Sequence, residues 1–271
     1  MKVETAVVLG PGGPVGTAWL AGLAAALRRE GVDLGAADLI VGTSAGAIVG
    51  AILASGGDLD RLAALPPPTD PGDGVRPDPQ KLMEVFATLG DTGLERTEAL
   101  RRVGRLALAA STGGEEAAIA RMRALVGGDA WPDRPLLIPA VDAETGEAVI
   151  WDRHGSASLP EAVAAGTAFP ATAPPITVGG RRYMDGALRA GINIDLAADA
   201  SVVIAAEPMA HLFGTDGVAA VEGTVVRLVP DAEAIEAFGP DMTDRAAWEP
   251  AYRAGVRQAP DAAEALRKRI M

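Results

Sequence analysis

The stretch that decides the fold is a short apolar run, a Gly-x-Ser-x-Gly motif and a second apolar run: Leu39-Ile40-Val41-Gly42-Thr43-Ser44-Ala45-Gly46-Ala47-Ile48-Val49-Gly50. The first run has the length and composition of a buried strand, and the second places apolar side chains at helical spacing. The stretch therefore predicts a strand, a sharp turn and a helix, with Ser44 at the apex. Flanking glycines allow the tight backbone that such a turn needs.

Ser44 is a candidate nucleophile, because a serine at this apex is held out of the sheet with its hydroxyl exposed. The N–H of Ala45 and the N-terminus of the following helix point at whatever Ser44 attacks, which favours a developing oxyanion. The alternative is an ordinary glycine and serine turn that caps a helix. The position of the motif between an apolar strand and an apolar helix favours the nucleophile.

The residues before this stretch predict a first strand over 5–9, a glycine loop over 10–16 and a helix over 17–29. Two consecutive strand–helix units imply parallel strands and a right-handed crossover. Gly12 and Gly13 have no side chains, so their N–H groups can approach a ligand closely at the N-terminus of the helix. We expect these amides to form the second half of an oxyanion hole.

A nucleotide-binding module is the rival interpretation of the glycine loop. The Gly-x-Gly-x-x-Gly fingerprint fits poorly, because Val15 stands where the third glycine would be. The second strand also ends in the Ser44 motif and not in an acid for a ribose hydroxyl. The loop has no Gly-Lys-Ser/Thr either, so it is no P-loop.

The composition changes after the first two units. Residues 65–74 are rich in proline and glycine and predict an exposed loop. Helical patterns follow at 79–89, 95–110 and 114–127. Their apolar faces are too thin for an independent core, so we expect 58–131 to be a helical insertion within one domain over 1–271.

Sheet signals return in the second half of the chain, as apolar runs separated by glycine and proline turns. The predicted elements are hairpins over 136–151 and 176–184, a helix over 159–166, a proline-fixed loop over 169–175, strands over 201–206 and 224–229, and a polar helix from about 243. The chain is thus predicted to be α/β.

A serine nucleophile needs a base, and the chain has three candidates. His154 and His211 are the only histidines. His211 follows candidate acids in the order Ser…Asp…His, which leaves a triad open. Asp185 lies directly after a predicted strand, and Gly186 permits a turn that aims its carboxylate. An Asp-Gly pair is often a hairpin turn, but the preceding hairpin already has its own turn at 179–180.

Three ordered motifs make the chain resemble the patatin-like phospholipases: Gly12-Gly13-Pro14-Val15-Gly16, Gly42-Thr43-Ser44-Ala45-Gly46 and Asp185-Gly186-Ala187. The resemblance implies a three-layer α/β/α fold with a mostly parallel central sheet, and a Ser–Asp dyad without histidine. Carried over, Ser44 is the nucleophile, Asp185 is the base, and Gly12 and Gly13 form the oxyanion hole with Ala45. No cofactor or metal is implied.

The chain departs from the family pattern at three positions. Pro11 replaces the first loop glycine, Val15 replaces the usual Arg or Lys, and Ala187 replaces the second glycine of Asp-Gly-Gly. Val15 removes a cation that could contact a phosphate-bearing head group.

The predicted substrate is a fatty-acyl ester, bound as a free lipid or at a membrane or micelle surface. An apolar stripe on the insertion could line an acyl pocket or simply be core: Leu82, Val85, Phe86 and Leu89.

The composition excludes several other classes of protein. A net charge of −12 argues against nucleic acid, which needs clustered Lys and Arg. The absence of cysteine excludes disulfides and thiolate nucleophiles, and it fits a cytoplasmic protein. No apolar run has the length of a membrane span, so we expect a soluble protein. A His-dependent esterase and a non-catalytic nucleotide-binding module stay open as alternatives.

Overall fold

A computed structural model describes residues 3–64, 78–213 and 221–270. The fold is mixed α/β, with a central sheet flanked by helices, which confirms the predicted fold class. The strands are β1 Thr5–Leu9, β2 Leu39–Gly42, β3 Leu136–Asp142, β4 Ala148–Trp151, β5 Ile176–Val178, β6 Arg181–Asp185, β7 Val202–Ala206 and β8 Thr224–Leu228. The helices are α1 Gly13–Arg29, α2 Ala45–Ala54, α3 Pro79–Leu89, α4 Arg96–Ala109, α5 Glu115–Val126, α6 Leu159–Gly166, α7 Ala187–Ala190, α8 Ala232–Phe238 and α9 Trp248–Ile270. The predicted loop at 65–74 lies outside the described residues.

The chain divides into two compact units. Unit 1 comprises Met1–Pro66, Pro132–Leu137 and Ala190–Met271, and unit 2 comprises Pro67–Trp131 and Ile138–Arg189. The predicted insertion at 58–131 contains the whole first segment of unit 2 and the last residues of the first segment of unit 1.

The strands of unit 1 are parallel, as two successive strand–helix units predict. β1 pairs with β2 on one side and with β7 on the other, and β7 pairs with β8. The first residues of β3 pair with β2, also in parallel. Because parallel neighbours end at the same edge, the glycine loop after β1 and the Ser44 turn after β2 leave this sheet on the same side.

Helices α1 and α9 of unit 1 pack closely against each other. A Cβ on Gly22 of α1 would lie 2.1 Å from the carbonyl oxygen of Tyr252 in α9, and one on Gly255 of α9 would lie 2.2 Å from the carbonyl oxygen of Trp19. The Trp19 indole N–H also donates to Gln258, at 2.8 Å. Only glycine fits at both crossing positions, which explains two glycines in helix interiors where they otherwise cost stability.

The first helix begins earlier than the sequence predicts. α1 starts at Gly13, four residues before the predicted Thr17, and Pro14 lies in its first turn. The prediction was wrong here because glycine and proline were taken as loop residues. Proline is compatible with a first turn, since the N–H groups there have no intrahelical acceptor. The glycine loop and the start of the helix are thus one structure.

Unit 2 is built around an antiparallel part of the sheet. β3 pairs with β4 and β6, and β5 pairs with β6, as the two predicted hairpins require. Helix α4 lies close to the turn after β3, because a Cβ on Gly104 would meet the Ala143 carbonyl oxygen at 1.8 Å. A buried apolar cluster joins these elements, and it includes Val85, Val103 and Met184.

Asp142, at the end of β3, organises the following turn. Its Oδ1 accepts the N–H groups of Glu144 and Thr145, both at 2.8 Å, and its Oδ2 accepts the Arg181 Nε–H at 2.7 Å. Burial works to raise the pKa of this carboxyl, but the two amides and the Arg181 charge outweigh it. The pKa of Asp142 therefore lies below its ordinary value.

The lowered pKa of Asp142 predicts a pH-dependent contribution to stability. A depressed carboxyl pKa stabilises the fold above the unfolded-state pKa of about 3.9, and this contribution disappears as the pH falls through the folded-state pKa. We expect Asp142→Asn to lower the free energy of unfolding by about 1–3 kcal/mol at pH 7. Urea unfolding of both proteins should show this difference shrinking towards pH 3. An equal difference at both pH values would contradict the assignment.

Candidate active site

The turn at Ser44 has a strained backbone. Ser44 takes φ 52° and ψ −117°, which a non-glycine residue rarely adopts and which costs on the order of 1–3 kcal/mol. It is the N-cap residue of α2, yet its side chain makes no capping hydrogen bond. A serine at an N-cap ordinarily uses its hydroxyl for that bond. Here the hydroxyl is left available for another role.

The glycines that flank Ser44 are required for space and not for unusual backbone angles. A Cβ on Gly46 would lie 2.0 Å from the Leu9 carbonyl oxygen, and one on Gly42 would lie 2.6 Å from the carbonyl oxygen of Gly46. Positive φ falls on Ser44 itself and on neither glycine. The motif thus lets α2 start directly against the end of β1.

A buried polar pair holds the residue before Ser44. Thr43 donates its backbone N–H to the Leu9 carbonyl at 2.9 Å, and its hydroxyl accepts the Asn193 side-chain amide at 3.0 Å. Thr43 and Asn193 are both fully buried, and Asn193 has φ 57°. These contacts fix the strand end from which the Ser44 turn departs. The sequence analysis did not find Asn193, because nothing local to it indicates a contact 150 residues away.

The glycine loop lies beside the Ser44 turn within unit 1. A Cβ on Gly16 would lie 3.8 Å from the Ala45 Cβ, and one on Gly12 would lie 2.7 Å from the Gly16 Cα. The backbone N–H groups of Gly12, Gly13 and Ala45 find no acceptor among the residues that the structure describes. The described first turns of α1 and α2 contain no acidic side chain. The two helix N-termini therefore offer open donors to a negative charge.

Asp185 ends β6 in unit 2 and is almost completely buried. Its backbone N–H donates to the Ala168 carbonyl at 3.0 Å, and its Oδ1 accepts the Ala187 N–H at 2.8 Å. A Cβ on Gly186 would lie 2.1 Å from the Pro139 carbonyl oxygen, so the Asp-Gly turn is pressed against β3. This turn does not close a hairpin. It leads directly from β6 into α7.

The two histidines lie in different surroundings. His154 is exposed in the turn after β4 and donates its backbone N–H to Asp152. His211 is exposed in unit 1, and its ring centroid lies 6.2 Å from that of Phe238. Within the described parts of the chain, neither ring hydrogen bonds to a carboxylate. A triad would require such a partner to orient the imidazole.

Comparison with known proteins identifies the class to which this fold and these motifs belong. The family model of patatin-like phospholipase matches residues 7–198, which is more than half of the chain and includes all three motifs. This match places the protein in the general class of lipid acyl hydrolases. More particularly, the chain belongs to the patatin-like phospholipase family, as its motifs predict.

Solved structures and curated proteins were also compared. The chain is similar to VipD from Legionella pneumophila, with a TM-score of 0.46 and 14% sequence identity over 97% of this chain and 67% of that chain. No curated protein sequence matches the chain significantly. Among the described helices, none is both long and apolar enough to cross a membrane.

Proposed function

We propose that the protein hydrolyses fatty-acyl esters of lipids through a Ser44–Asp185 dyad and an acyl-enzyme. One catalytic domain over 1–271 then carries both residues. The observation that carries the proposal is the state of Ser44. Its backbone is strained, and its hydroxyl is not used for the capping bond that would explain a serine there. Strain of this kind persists where it serves a function.

The oxyanion hole in this proposal consists of the N–H groups of Gly12, Gly13 and Ala45. These donors have no described acceptor, and they lie at the N-termini of α1 and α2. Such donors are aimed before the reaction starts, so they need no rearrangement when charge develops on the carbonyl oxygen. Removing one donor of an oxyanion hole typically slows a hydrolase by about 10²–10³-fold.

The proposed reaction proceeds in two steps. In the first, the Ser44 oxygen attacks the acyl carbon while Asp185 takes its proton, and the alcohol or lysolipid leaves with that proton. In the second, Asp185 takes a proton from water and the hydroxide attacks the acyl carbon. The bond from that carbon to the Ser44 oxygen then breaks, Ser44 takes the proton back from Asp185, and the fatty acid is released. An ordinary aspartate, with a pKa of about 3.9, is a weak base for a hydroxyl. Asp185 is almost completely buried, so bulk water is kept away from the carboxylate that would take the proton.

A lipid surface is the proposed source of the substrate. On α3 in unit 2, Met83 is 71% exposed and Phe86 is 49% exposed. In unit 1, Leu212 and Phe213 are about half exposed. Exposed apolar side chains of this size favour contact with lipid. The negative net charge of the chain disfavours nucleic acid, and we propose a cytoplasmic location from the absence of cysteine.

The experiment that tests the proposal measures hydrolysis of p-nitrophenyl esters of short and long acyl chains. The purified protein should also react with a fluorophosphonate, and mass spectrometry should place the label on Ser44. His154→Ala and His211→Ala should each keep kcat within about twofold of wild type, because the dyad uses no imidazole. Loss of activity in His211→Ala alone would replace the dyad with a Ser–Asp–His triad. No esterase activity and no label would favour a non-catalytic module.

A further inference from the structure

A buried ion pair lies where strands β7 and β8 end in unit 1. The Arg227 Nε–H donates to Glu207 Oε1 at 2.6 Å, and its Nη2–H donates to Oε2 at 3.1 Å. The Glu207 side chain is 6% exposed, and the Arg227 side chain is 31% exposed. The hydrogen bonds from Arg227 to the Glu207 carboxylate raise the pKa of Arg227, so its guanidinium stays charged. The Glu207 backbone N–H also donates to the Leu228 carbonyl at 2.9 Å.

Stability alone does not account for this pair. A buried ion pair pays a desolvation cost that often cancels its attraction, and apolar replacements are frequently as stable. What the bidentate geometry does supply is a defined position for the backbone after β7. The residue placed there is Pro208, which is buried.

Pro208 packs on the glycine loop. A Cβ on Gly12 would lie 2.9 Å from the Pro208 Cβ, and one on Gly16 would lie 3.0 Å from it. The Gly16 N–H donates to the Gly12 carbonyl at 2.8 Å, so both contacts fall on one hydrogen-bonded turn. The proline ring is rigid, and its contact surface therefore follows the position of its backbone.

A second segment of unit 1 reaches the same loop. The Met242 carbonyl accepts the Val15 N–H at 3.4 Å and would lie 2.9 Å from a Cβ on Gly13. The loop is thus in contact with Pro208 at Gly12 and Gly16, and with Met242 at Gly13 and Val15. Only the Pro208 contact is tied to a charged pair.

We propose that Glu207, paired with Arg227, is a positioning residue for the oxyanion hole and acts through Pro208. The inference rests on the proposed function, because it assigns the Gly12 and Gly13 amides to the oxyanion. These donors must lie about 2.7–3.1 Å from the oxyanion. A small displacement of the loop therefore reduces stabilisation of the transition state more than it reduces substrate binding. Loss of the pair should therefore lower kcat and leave KM nearly unchanged.

The test compares Glu207→Gln and Pro208→Ala with a matched control. Asp60→Asn removes the negative charge from another arginine–carboxylate pair of unit 1, in which Arg29 Nη1 lies 2.8 and 2.9 Å from the two Asp60 oxygens. Arg29 ends α1. At 1.5 Å per residue it lies about 24 Å along that helix from Gly13. Each protein is assayed on a p-nitrophenyl ester and on its thionoester, in which sulfur replaces the carbonyl oxygen. Hydrogen exchange is measured on the peptide 9–18 without substrate.

Glu207→Gln and Pro208→Ala should lower kcat about tenfold, since the donors are displaced and not removed. The ratio of kcat on the ester to kcat on the thionoester should also fall in both variants. A general loss of fold stability would not change this ratio. Asp60→Asn should keep wild-type kinetics and lose only thermal stability. A wild-type kcat and a wild-type ratio in Pro208→Ala would overturn the inference, and so would equal losses in Asp60→Asn.

Hydrogen exchange separates a failure of this inference from a failure of the proposed function. If the wild type hydrolyses no ester, the proposed function is wrong, and exchange in the peptide 9–18 still decides whether the pair holds the loop. Faster exchange there in Pro208→Ala, with no change in Asp60→Asn, supports the contact. Unchanged exchange overturns it. Pro208→Ala keeps the ion pair, so it serves as the deciding variant if Glu207→Gln does not fold.

Discussion

Ser44→Ala is expected to lower kcat for ester hydrolysis by about 10⁵-fold or more, because the reaction loses the atom that forms the acyl-enzyme. The fold should be unaffected. The Ser44 hydroxyl forms no hydrogen bond with a described residue, so its removal leaves no buried partner unsatisfied. The free energy of unfolding should change by no more than about 0.5 kcal/mol. Steady-state kinetics and urea unfolding measure the two quantities.

Ser55→Ala is the matched control for this prediction. Ser55 is the C-cap residue of the same helix, α2, and it is exposed. The variant should keep wild-type kcat and fluorophosphonate labelling, whereas Ser44→Ala should lose both. Labelling that persists in Ser44→Ala would show that another nucleophile carries the activity.

Asp185→Asn is expected to lower kcat by about 10²–10⁴-fold, the range that a general base contributes. Asparagine has the same shape, and its Oδ1 can still accept the Ala187 N–H that Asp185 accepts at 2.8 Å. It cannot take a proton from the Ser44 hydroxyl. The variant should therefore fold normally, bind substrate with an unchanged KM, and react slowly with the fluorophosphonate.

Asp142→Asn is the control for the loss of a buried carboxylate. Asp142 lies on β3 and is also buried, but its three hydrogen bonds hold a turn of unit 2. Its replacement should reduce stability and spare kcat, the opposite of the result for Asp185→Asn. An active Asp185→Asn together with an inactive His211→Ala would move the base from the carboxylate to the imidazole.

Local patterns in the sequence predicted most of the individual elements. The helices at 79–89 and 159–166 have the predicted ends, since proline at the start and glycine at or beyond the end signal those ends. Helix α8 was missed, because seven residues are too few to show a helical period. The start of α1 was also missed, for the reason given above. These errors concern short or glycine-rich segments, in which local propensity is weakest.

The fold class, the family and the catalytic candidates follow from the sequence alone, because each depends on short ordered motifs. A strand followed by Gly-x-Ser-x-Gly and a helix allows few backbone paths, and the structure shows the sharp turn that it predicts. The assignment of Ser44 and Asp185 to a dyad stays a prediction until the variants are measured.

The contacts around these candidate residues depend on the tertiary structure. The contact of Asn193 with Thr43, and those of Pro208 and Met242 with the glycine loop, join positions that are far apart in the chain. Their proximity depends on strand order and register, in which β7 lies beside β1. Periodicity reports which face of an element is buried, but not which distant segment covers it. The residues that contact the candidate site therefore could not be identified from the sequence alone.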